Sequence, residues 1–305
     1  MPATVNETLD LLEVEDLGGD AYLGRQPEST VLAKVFGGQV AAQLLASANR
    51  TVDADRCVHS LHTNYYLPGD WSAPIHYAVD RVRDGGSFSA RQIAATQDGQ
   101  RIATAAASYQ RMEPGFEHRA TMPLVSPPRE SRELFDVAQE RSDVPAAQWR
   151  QEFGAFEMRF VEERPSRSSE EARGGAQRIW FRFKGRLPDD PALETLVFTY
   201  ISDFSLLGAA LTPHGFFLGS KEIHRATLSH SIWYHGRPRP AEWFLYDQES
   251  SWAGGGRGMV TARVFTSAGV LVATTAQEGL IRPHGEHRTR LRLPAFAMPF
   301  DPARG

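Results

Sequence analysis

The most constraining feature of this sequence is that its blocks occur twice, in the same order, at an offset near 170 residues. The first half contains VHSLHTNYYLPG, a long run interrupted by GG, and QRIATAAASYQR. The second half contains ATLSHSIWYHGRP, a long run interrupted by GGGRG, and VLVATTAQEGLIRP. A period this long indicates a duplicated domain, because solenoid units span about 20 to 50 residues. The sequence therefore predicts two fused copies of one module.

Three short matches set the alignment of the two copies. They pair His62-Thr63 with His230-Ser231, Ser89 to Arg91 with Thr261 to Arg263, and Ala103-Thr104 with Ala273-Thr274. The alignment places Gln277 against Ala107, so that a large amide replaces a methyl group at an otherwise similar position. This difference indicates that the two copies have divided their roles.

Each copy carries a helical pattern ahead of its strands. In the first, Val35-Phe36-Gly37-Gly38 precedes apolar residues at helical spacing from Val40 to Ala48. In the second, an apolar stripe from Leu193 to Leu211 predicts one deeply buried helix of about five turns. No crossover helices separate the long strands that follow, which indicates an antiparallel sheet. The predicted fold is α+β, with a sheet curled around a central helix in each copy.

The predicted boundaries are an N-terminal module over residues 1–115, a linker over 116–154 and a C-terminal module over 155–305. The linker contains the proline-rich LVSPPRE, and the charged PSRSSEEARGG beyond it has the composition of a loop. Because the segment is too long to be coil throughout, FEMRFVEE is predicted to form the first strand of the second copy.

Charge and composition disfavour several classes of partner. The formal net charge of -4 is spread along the chain, which leaves no electrostatic footprint for nucleic acid or an anionic membrane. No apolar run reaches the roughly 18 residues of a membrane span, and the first residues lack a basic and apolar leader. We therefore expect small-molecule partners, a cytoplasmic location and no membrane insertion.

The cysteine and histidine content predicts neither a disulfide nor a metal site. Cys57 is the single cysteine, and in the alternating run CVHSLHTNYY a small buried side chain is favoured over a nucleophile. The histidines lack HExxH or Cys/His metal spacing, so we interpret them as hydrogen-bonded strand residues. They include His59, His62, His224, His230 and His235.

Common hydrolase and nucleotide-binding motifs are missing. There is no G-x-S-x-G elbow, the nearest stretch being GGSFSA, and no P-loop. The GGGRG at residues 254–258 lies between two strand patterns, which favours a hairpin turn over a phosphate-binding loop. A serine triad and a metal-dependent mechanism are therefore disfavoured.

Asp203 stands out because it falls on the flank of the apolar stripe, beside Tyr200 and Leu207. A carboxylate there costs several kcal/mol unless hydrogen bonds or a partner charge hold it. Two interpretations stay open: a reactive carboxylate, and a structural one that caps a loop or bonds Ser202 or Ser205.

Thr227 and Gln277 are the other polar candidates in the second copy. Strict alternation divides the strand IHRATLSHSIWYH into one face with Arg225, Thr227 and Ser229 and another with Ala226, Leu228 and Ile232. Gln277 ends a face that also carries Thr275. Taken alone, either residue is explained as well by a structural role.

These blocks resemble the type II acyl-CoA thioesterases, which have a double-hotdog fold. The resemblance extends from about Leu9 to Arg282 and rests on VFGGQVAAQ, VHSLHTNYYLPGD, RDGGSFSARQIAATQDGQ, ISDFSLLG, HSIWYH and QEGLIR. It implies hydrolysis of acyl-CoA thioesters to free fatty acid and coenzyme A. It implies no cofactor, because coenzyme A is part of the substrate.

The resemblance also implies a set of site residues. In that family an Asp on the second-half helix, a Thr or Ser in the next strand and a Gln in the last strand hold the hydrolytic water. By motif position these are Asp203 in ISDF, Thr227 in ATLSH and Gln277 in TAQEG. One departure is Ser229, where family members often have an Asp before the His of the HSxWxH block.

In the implied mechanism, Asp203 takes a proton from a water that Thr227 and Gln277 also hold, and burial raises the pKa of Asp203. Backbone N–H groups near the central helix would stabilise the oxyanion. Direct attack by Asp203 to form an anhydride is a less favoured variant. Two other functions stay open: a hydratase or dehydratase on the same fold, and a non-enzymatic acyl-CoA-binding protein.

Four arginines are candidates to meet the nucleotide end of coenzyme A: Arg83, Arg91, Arg257 and Arg263. A solvated strand charge is the simpler interpretation of each, so they stay outside the predicted site. Exposed sheet edges and apolar sheet faces predict that the chain forms a homodimer or a higher homo-oligomer.

Overall fold

The computed structural model describes residues 4–28, 30, 32, 34–141, 144–162 and 175–284. Residues 285–305 of the predicted C-terminal module and residues 165–174 of the predicted charged loop lie outside them. No observation tests the predicted domain boundaries as such, and they stay predictions.

The first half of the chain supplies two helices and six strands within the described residues. They are α1 (Val5–Leu12), β1 (Val14–Gly18), β2 (Ala21–Gly24), α2 (Gly37–Asn49), β3 (Arg56–Tyr65), β4 (Ile75–Asp84), β5 (Phe88–Gln97) and β6 (Gln100–Arg111). The rest supplies β7 (Arg132–Glu133), α3 (Leu134–Arg141), α4 (Ala146–Phe153), β8 (Phe156–Phe160), β9 (Gly175–Phe183), α5 (Pro191–Ser202), α6 (Leu206–Leu211), β10 (Ile223–Tyr234), β11 (Phe244–Gly254), β12 (Arg257–Thr266) and β13 (Leu271–Pro283). The predicted first strand of the second copy, FEMRFVEE, is confirmed as β8, and the predicted linker contains α3 and α4.

All these strands form one antiparallel sheet, in the order β1-β2-β4-β5-β6-β3-β10-β13-β12-β11-β9-β8-β7. The two halves meet at the centre, where β3 pairs with β10. Helix α2 packs against β2 to β6, and α6 packs against β9, β11, β12 and β13. Each half of the sheet thus wraps its own central helix, which confirms the predicted double-hotdog architecture.

The apolar stripe from Leu193 to Leu211 does not form one helix, as predicted, but two. Helix α5 ends at Ser202 and α6 begins at Leu206. Hydroxyls compete with the helical ladder just before the break, because Thr199 and Ser202 both donate to carbonyls one turn back. Apolar periodicity continues across the break and so cannot reveal it. Although the whole stretch Pro191–His214 has the length and composition of a membrane span, 94% of its most apolar window is buried, as in a core helix.

A β-bulge in β10 overturns the predicted alternation of that strand. The register with β13 shifts between Thr227 and Ser229. Before the bulge, Ile223, Arg225 and Thr227 face inward, and after it the inward residues include His230 and Ile232. Ser229 therefore does not share a face with Thr227. The residue that differs from the family pattern is thus not among the inward-facing residues of β10.

The registers also correct the alignment of the two copies by one residue. Ala107 lies opposite Leu61 on β3, and Gln277 lies opposite His230 on β10, with all four side chains buried. The bulge of β3 lies between Val58 and Ser60 and that of β10 between Thr227 and Ser229, so the counterpart of His230 is Leu61 and not His62. The predicted pairing of Ala107 with Gln277 is confirmed.

The registers also correct the match of Arg91, here by three residues. It lies opposite Ala107 and is 2% exposed, and the residue opposite Gln277 on β12 is Val260. Arg263 faces outward and pairs with Asp247. Arg91 is thus the counterpart of Val260, and the predicted match with Arg263 is wrong.

Two smaller predictions have opposite outcomes. The GGGRG segment is a hairpin turn between β11 and β12, with positive φ at Gly255 and Gly256, as predicted. Cys57 is exposed, so the expectation of a small buried side chain is wrong. It lies beside Val58, which packs against the core, so the alternation of β3 turns Cys57 outward.

Candidate active site

Asp203 lies at the break between α5 and α6, as the C-terminal cap of α5. Only 7% of its surface is exposed. Because α5 ends at this residue, its side chain projects from an irregular turn instead of from a helix flank. The break therefore decides where the carboxylate points.

The structure brings the three predicted site residues into mutual contact. Thr227 Oγ1 donates to Asp203 Oδ1 at 3.0 Å. Gln277 Nε2 donates to the same carboxylate oxygen and also to Thr227 Oγ1, the latter at 2.9 Å. The carboxylate thus accepts one hydroxyl and one amide hydrogen bond from two neighbouring strands, β10 and β13.

The structural alternative for Asp203 named two neighbouring serines as its partners. Ser202 Oγ instead donates to the Thr199 carbonyl and contacts His230 Nε2. Ser205 Oγ accepts from Gln248 Nε2. Both hydroxyls have other partners, so the side-chain hydrogen bonds to Asp203 come from Thr227 and Gln277.

The first half of the chain also binds this carboxylate, which sequence reasoning did not foresee. The backbone N–H of Gly38, in the first turn of α2, hydrogen-bonds Asp203. A Cβ on Gly37 would lie 2.7 Å from Asp203 Oδ2, and one on Gly38 would collide with the carbonyl oxygen of Tyr200. Phe36, the N-cap of α2, offers no side-chain hydrogen bond. Asp203 therefore caps a helix of the other half at its positive end.

Burial and hydrogen bonding act on Asp203 in opposite directions. Burial raises its pKa to about 6, against the lowering effect of hydrogen bonds from Thr227, Gly38 and Gln277. The nearby Tyr65 donates its hydroxyl to the Gly37 carbonyl at 2.7 Å, and burial together with Asp203 raises the pKa of that phenol. The site thus holds a carboxylate that can exchange a proton near neutral pH.

His230 and Ser202 are two further buried polar residues near Gln277. His230 lies directly across the ladder from it, and burial lowers the pKa of His230 to about 3, so the ring is neutral. Its Nε2 contacts Ser202 Oγ at 2.8 Å. His230 Nδ1 and Gln277 Oε1 are both buried and have no hydrogen-bond partner. The predicted hydrogen bond of this strand histidine is thus confirmed for Nε2 but not for Nδ1.

A cavity of about 610 Å³ opens beside the carboxylate. Asp203, Thr227 and Gly37 line it, whereas the fully buried Gln277 lies behind them. Most of the remaining wall is apolar, and part of it is an aromatic cluster of Trp149, Phe153 and Phe204. The cavity therefore offers a reactive acid at the edge of a largely apolar space.

None of the four arginine candidates lines this cavity. Arg91 is buried and bonds Thr51 and Asp84, which is a structural role. The basic residues that do line the cavity are Lys34, His224 and Arg225. Sequence reasoning missed them because all three look like ordinary polar residues of a loop or strand.

Comparison with known proteins matches both halves of the chain. A family model described as the acyl-CoA thioesterase N-terminal domain matches residues 26–110, and one described as the acyl-CoA thioesterase C-terminal domain matches residues 129–281. Acyl-coenzyme A thioesterase 8 of Mus musculus is 36% identical over 283 residues, covering 89% of this chain and 88% of the relative. Acyl-CoA thioesterase 2 of Haemophilus influenzae is 35% identical over 286 residues, covering 92% and 99%.

Solved structures give the same result. The acyl-CoA thioesterase II TesB2 from Mycobacterium marinum is 36% identical, with a TM-score of 0.74 over 90% of this chain and 98% of the other. A hot dog fold protein of unknown function from Alicyclobacillus acidocaldarius has a TM-score of 0.70 at 19% identity, covering 90% and 98%, which bears on the fold alone.

The raised pKa of Asp203 predicts a pH-dependent gain of stability in Asp203→Asn. A folded-state pKa of about 6, above the ordinary 3.8, means that ionisation opposes folding as the pH rises through that range. The shift is roughly two pKa units, or about 3 kcal/mol. Chemical denaturation should therefore find Asp203→Asn more stable than the wild type above pH 7, with the difference vanishing near pH 4.

The matched control is Asp80→Asn at an exposed position on β4, which should show no such pH dependence. If Asp203→Asn were less stable than the wild type at pH 8, the bonds from Gly38, Thr227 and Gln277 would outweigh burial, and the inferred pKa would be wrong.

Proposed function

The chain belongs to the type II acyl-CoA thioesterase family, and we propose that Asp203 is the general base in its hydrolysis of acyl-CoA thioesters. The observation that carries the proposal is one buried carboxylate, with a pKa of about 6, held by Thr227 and Gln277 at the wall of an apolar cavity. A base is most effective when its pKa lies near the working pH.

In the proposed reaction, a water lies between Asp203 and the thioester carbonyl carbon. Asp203 accepts a proton as the water oxygen bonds to that carbon, and the tetrahedral intermediate then expels the thiolate. The proton passes to the sulfur, which gives free coenzyme A and the fatty acid. Thr227 lines the cavity and can hold the same water, while Gln277 fixes Asp203 and Thr227 from behind.

Backbone N–H groups at the start of α2 are the proposed oxyanion donors. The first N–H groups of a helix have no partner within that helix, and they carry the positive end of its dipole. Gly37 lines the cavity at this point, beside the carboxylate. A glycine at this position lets the substrate carbonyl approach the backbone closely.

The apolar wall of the cavity is the proposed site for the acyl chain. Trp149, Phe153 and Phe204 pack edge to face or tilted against one another, and Leu207 and Leu218 extend the same wall. Aliphatic groups gain roughly 25 cal/mol per Å² when they leave water for such a surface. We further propose that no cofactor takes part, because a thioester carbonyl is already electrophilic and a thiolate is a fair leaving group.

The geometry favours hydrolysis over the two alternatives. Hydratases and dehydratases on this fold use a His with an Asp or Glu. His230 does not line the cavity, and its hydrogen-bond partner is Ser202; His224 lines the cavity but is exposed and does not share the strand face of Thr227. A protein that only binds acyl-CoA has no need of a buried carboxylate at this position, which costs stability. The predicted cytoplasmic location and homo-oligomeric state stay predictions.

Replacement of the base tests the proposal directly. Asp203→Asn should lower kcat by at least about a hundredfold, because the isosteric amide cannot accept the proton. Thiol release from octanoyl-CoA, followed with a thiol reagent, is the measurement, and Asp80→Asn is the matched control. Near-native thiol release by folded Asp203→Asn would remove Asp203 from the mechanism.

The pH profile of kcat/KM should follow the ionisation of Asp203. The rate is expected to rise with pH to a plateau above about pH 7 and to be about tenfold lower at pH 5, since only the carboxylate form accepts a proton. Coenzyme A phosphates also titrate near pH 6, so the substrate should be an octanoyl thioester of N-acetylcysteamine. A rate that stays constant down to pH 5 would contradict a base of this pKa.

Isotope labelling separates water attack from an anhydride. In a single turnover in ¹⁸O-labelled water, we expect the label in the released fatty acid and none in Asp203. Mass spectrometry of the peptide that contains Asp203 is the measurement. Label in that side chain would instead support direct attack by the carboxylate.

A further inference from the structure

Arg225 is a second charged residue in the cavity, and the proposed reaction does not use it. It stands two residues before Thr227 on β10, and both side chains face inward and line the cavity. Alternate residues of a strand project from the same face about 6.6 Å apart. The guanidinium therefore shares a wall with the site at which the thioester is to react.

The guanidinium of Arg225 has no protein anion to pair with among the described residues. Its Nη1 is buried without a hydrogen-bond partner. Other arginines in the sheet are paired: Arg91 with Asp84, and Arg178 and Arg263 with Asp247. Desolvation alone lowers the pKa of Arg225, with no opposing anion. A partly buried cation without a partner anion is costly, and no anion among the described residues offsets that cost.

The charge balance of the cavity points to a ligand as the missing partner. Lys34 and Arg225 are cations on its wall, and Asp203 is the carboxylate there. The pKa of Asp203 responds to burial and to hydrogen bonds from Thr227, Gly38 and Gln277, without a contribution from Arg225. Asp203 and Arg225 therefore do not neutralise each other, and the cavity keeps an unmatched positive charge.

We propose that Arg225 binds an anionic oxygen group of the substrate and so selects among thioesters; this inference rests on the proposed hydrolysis. A guanidinium presents parallel N–H donors that fit the two oxygens of a carboxylate or phosphate. The anion has two possible sources. One is a carboxylate at the far end of the acyl chain, and the other is a phosphate of coenzyme A.

Three substrates distinguish these sources: octanoyl-CoA, its ω-carboxy counterpart octanedioyl-CoA, and the octanoyl thioester of N-acetylcysteamine, which carries no anion. The variant is Arg225→Met, which keeps an unbranched stem and removes the charge. Arg129→Met, at an exposed residue outside the cavity, is the matched control. The readout is kcat/KM from thiol release, with thermal unfolding as the check on folding.

Loss of a charge-assisted hydrogen bond predicts a decrease of about 10- to 100-fold in kcat/KM for the substrate whose anion Arg225 binds. A decrease confined to octanedioyl-CoA supports the proposal with the acyl carboxylate as the anion. An equal decrease for both coenzyme A esters, with the N-acetylcysteamine thioester unaffected, supports it with a coenzyme phosphate. Arg225→Lys should recover part of the lost kcat/KM in either case, because it restores the positive charge without the paired N–H donors of a guanidinium.

Two results would overturn the proposal: no change in any substrate, or the same change in all three, which indicates a structural effect. Failure of the proposed hydrolysis looks different, because the wild type would then release no thiol from any of the three. Since Arg225→Met removes an unpaired and partly buried charge, its unfolding temperature should not fall below that of the wild type.

Discussion

The site depends on one carboxylate that is at once a buried acid and the N-terminal cap of a helix from the other half of the chain. Asp203 meets the backbone N–H of Gly38 at the start of α2, where no side chain of α2 itself acts as a cap. Capping favours the charged form, and burial favours the neutral form. The balance leaves a pKa of about 6, which neither effect alone would give. Because the two groups come from different halves, the base is assembled only when both modules pack together.

Two irregularities in the backbone place the partners of this carboxylate. The break between α5 and α6 places Asp203 in a turn and not on a helix face. The bulge in β10 shifts the alternation of inward and outward side chains by one residue just after Thr227. Without the bulge, Thr227 and His230 could not both face inward, because they are three residues apart. The bulge therefore allows one strand to supply a hydroxyl at the cavity wall and an imidazole behind Gln277. Such features cost regular hydrogen bonds and are found near functional sites.

The sequence predicts the large-scale plan because duplication and apolar periodicity are properties of many residues at once. It also predicts Asp203, Thr227 and Gln277, through motif positions that resemble a known family. It does not reveal the helix break, because apolar spacing is the same on both sides. Nor does it reveal the one-residue error in aligning His62 with His230. Identical residues at a nearby offset favour that alignment, and the strand register that corrects it is visible only in the structure. Arg225 is missed for another reason: whether a strand arginine is paired depends on tertiary contacts that no local pattern contains.

With the registers corrected, the first half shows what the second half has gained. An offset of 169 aligns Leu61 with His230, and the bulges in β3 and β10 also align, since Val58 and Ser60 flank one while Thr227 and Ser229 flank the other. The same offset aligns Phe36 with Ser205, the N-caps of α2 and α6, and therefore Lys34 with Asp203.

In the first half, Lys34 and Val58 thus occupy the backbone positions of Asp203 and Thr227, and the strand registers place Ala107 at the position of Gln277. A protonated amine accepts no proton, and an isopropyl group and a methyl group form no hydrogen bonds, so the equivalent position in the first half has no base. The first half instead contributes the first backbone N–H groups of α2, which no side chain of its N-cap residue bonds. A single asymmetric site at the junction follows from this division: one module keeps the uncapped helix, and the other carries the acid that caps it.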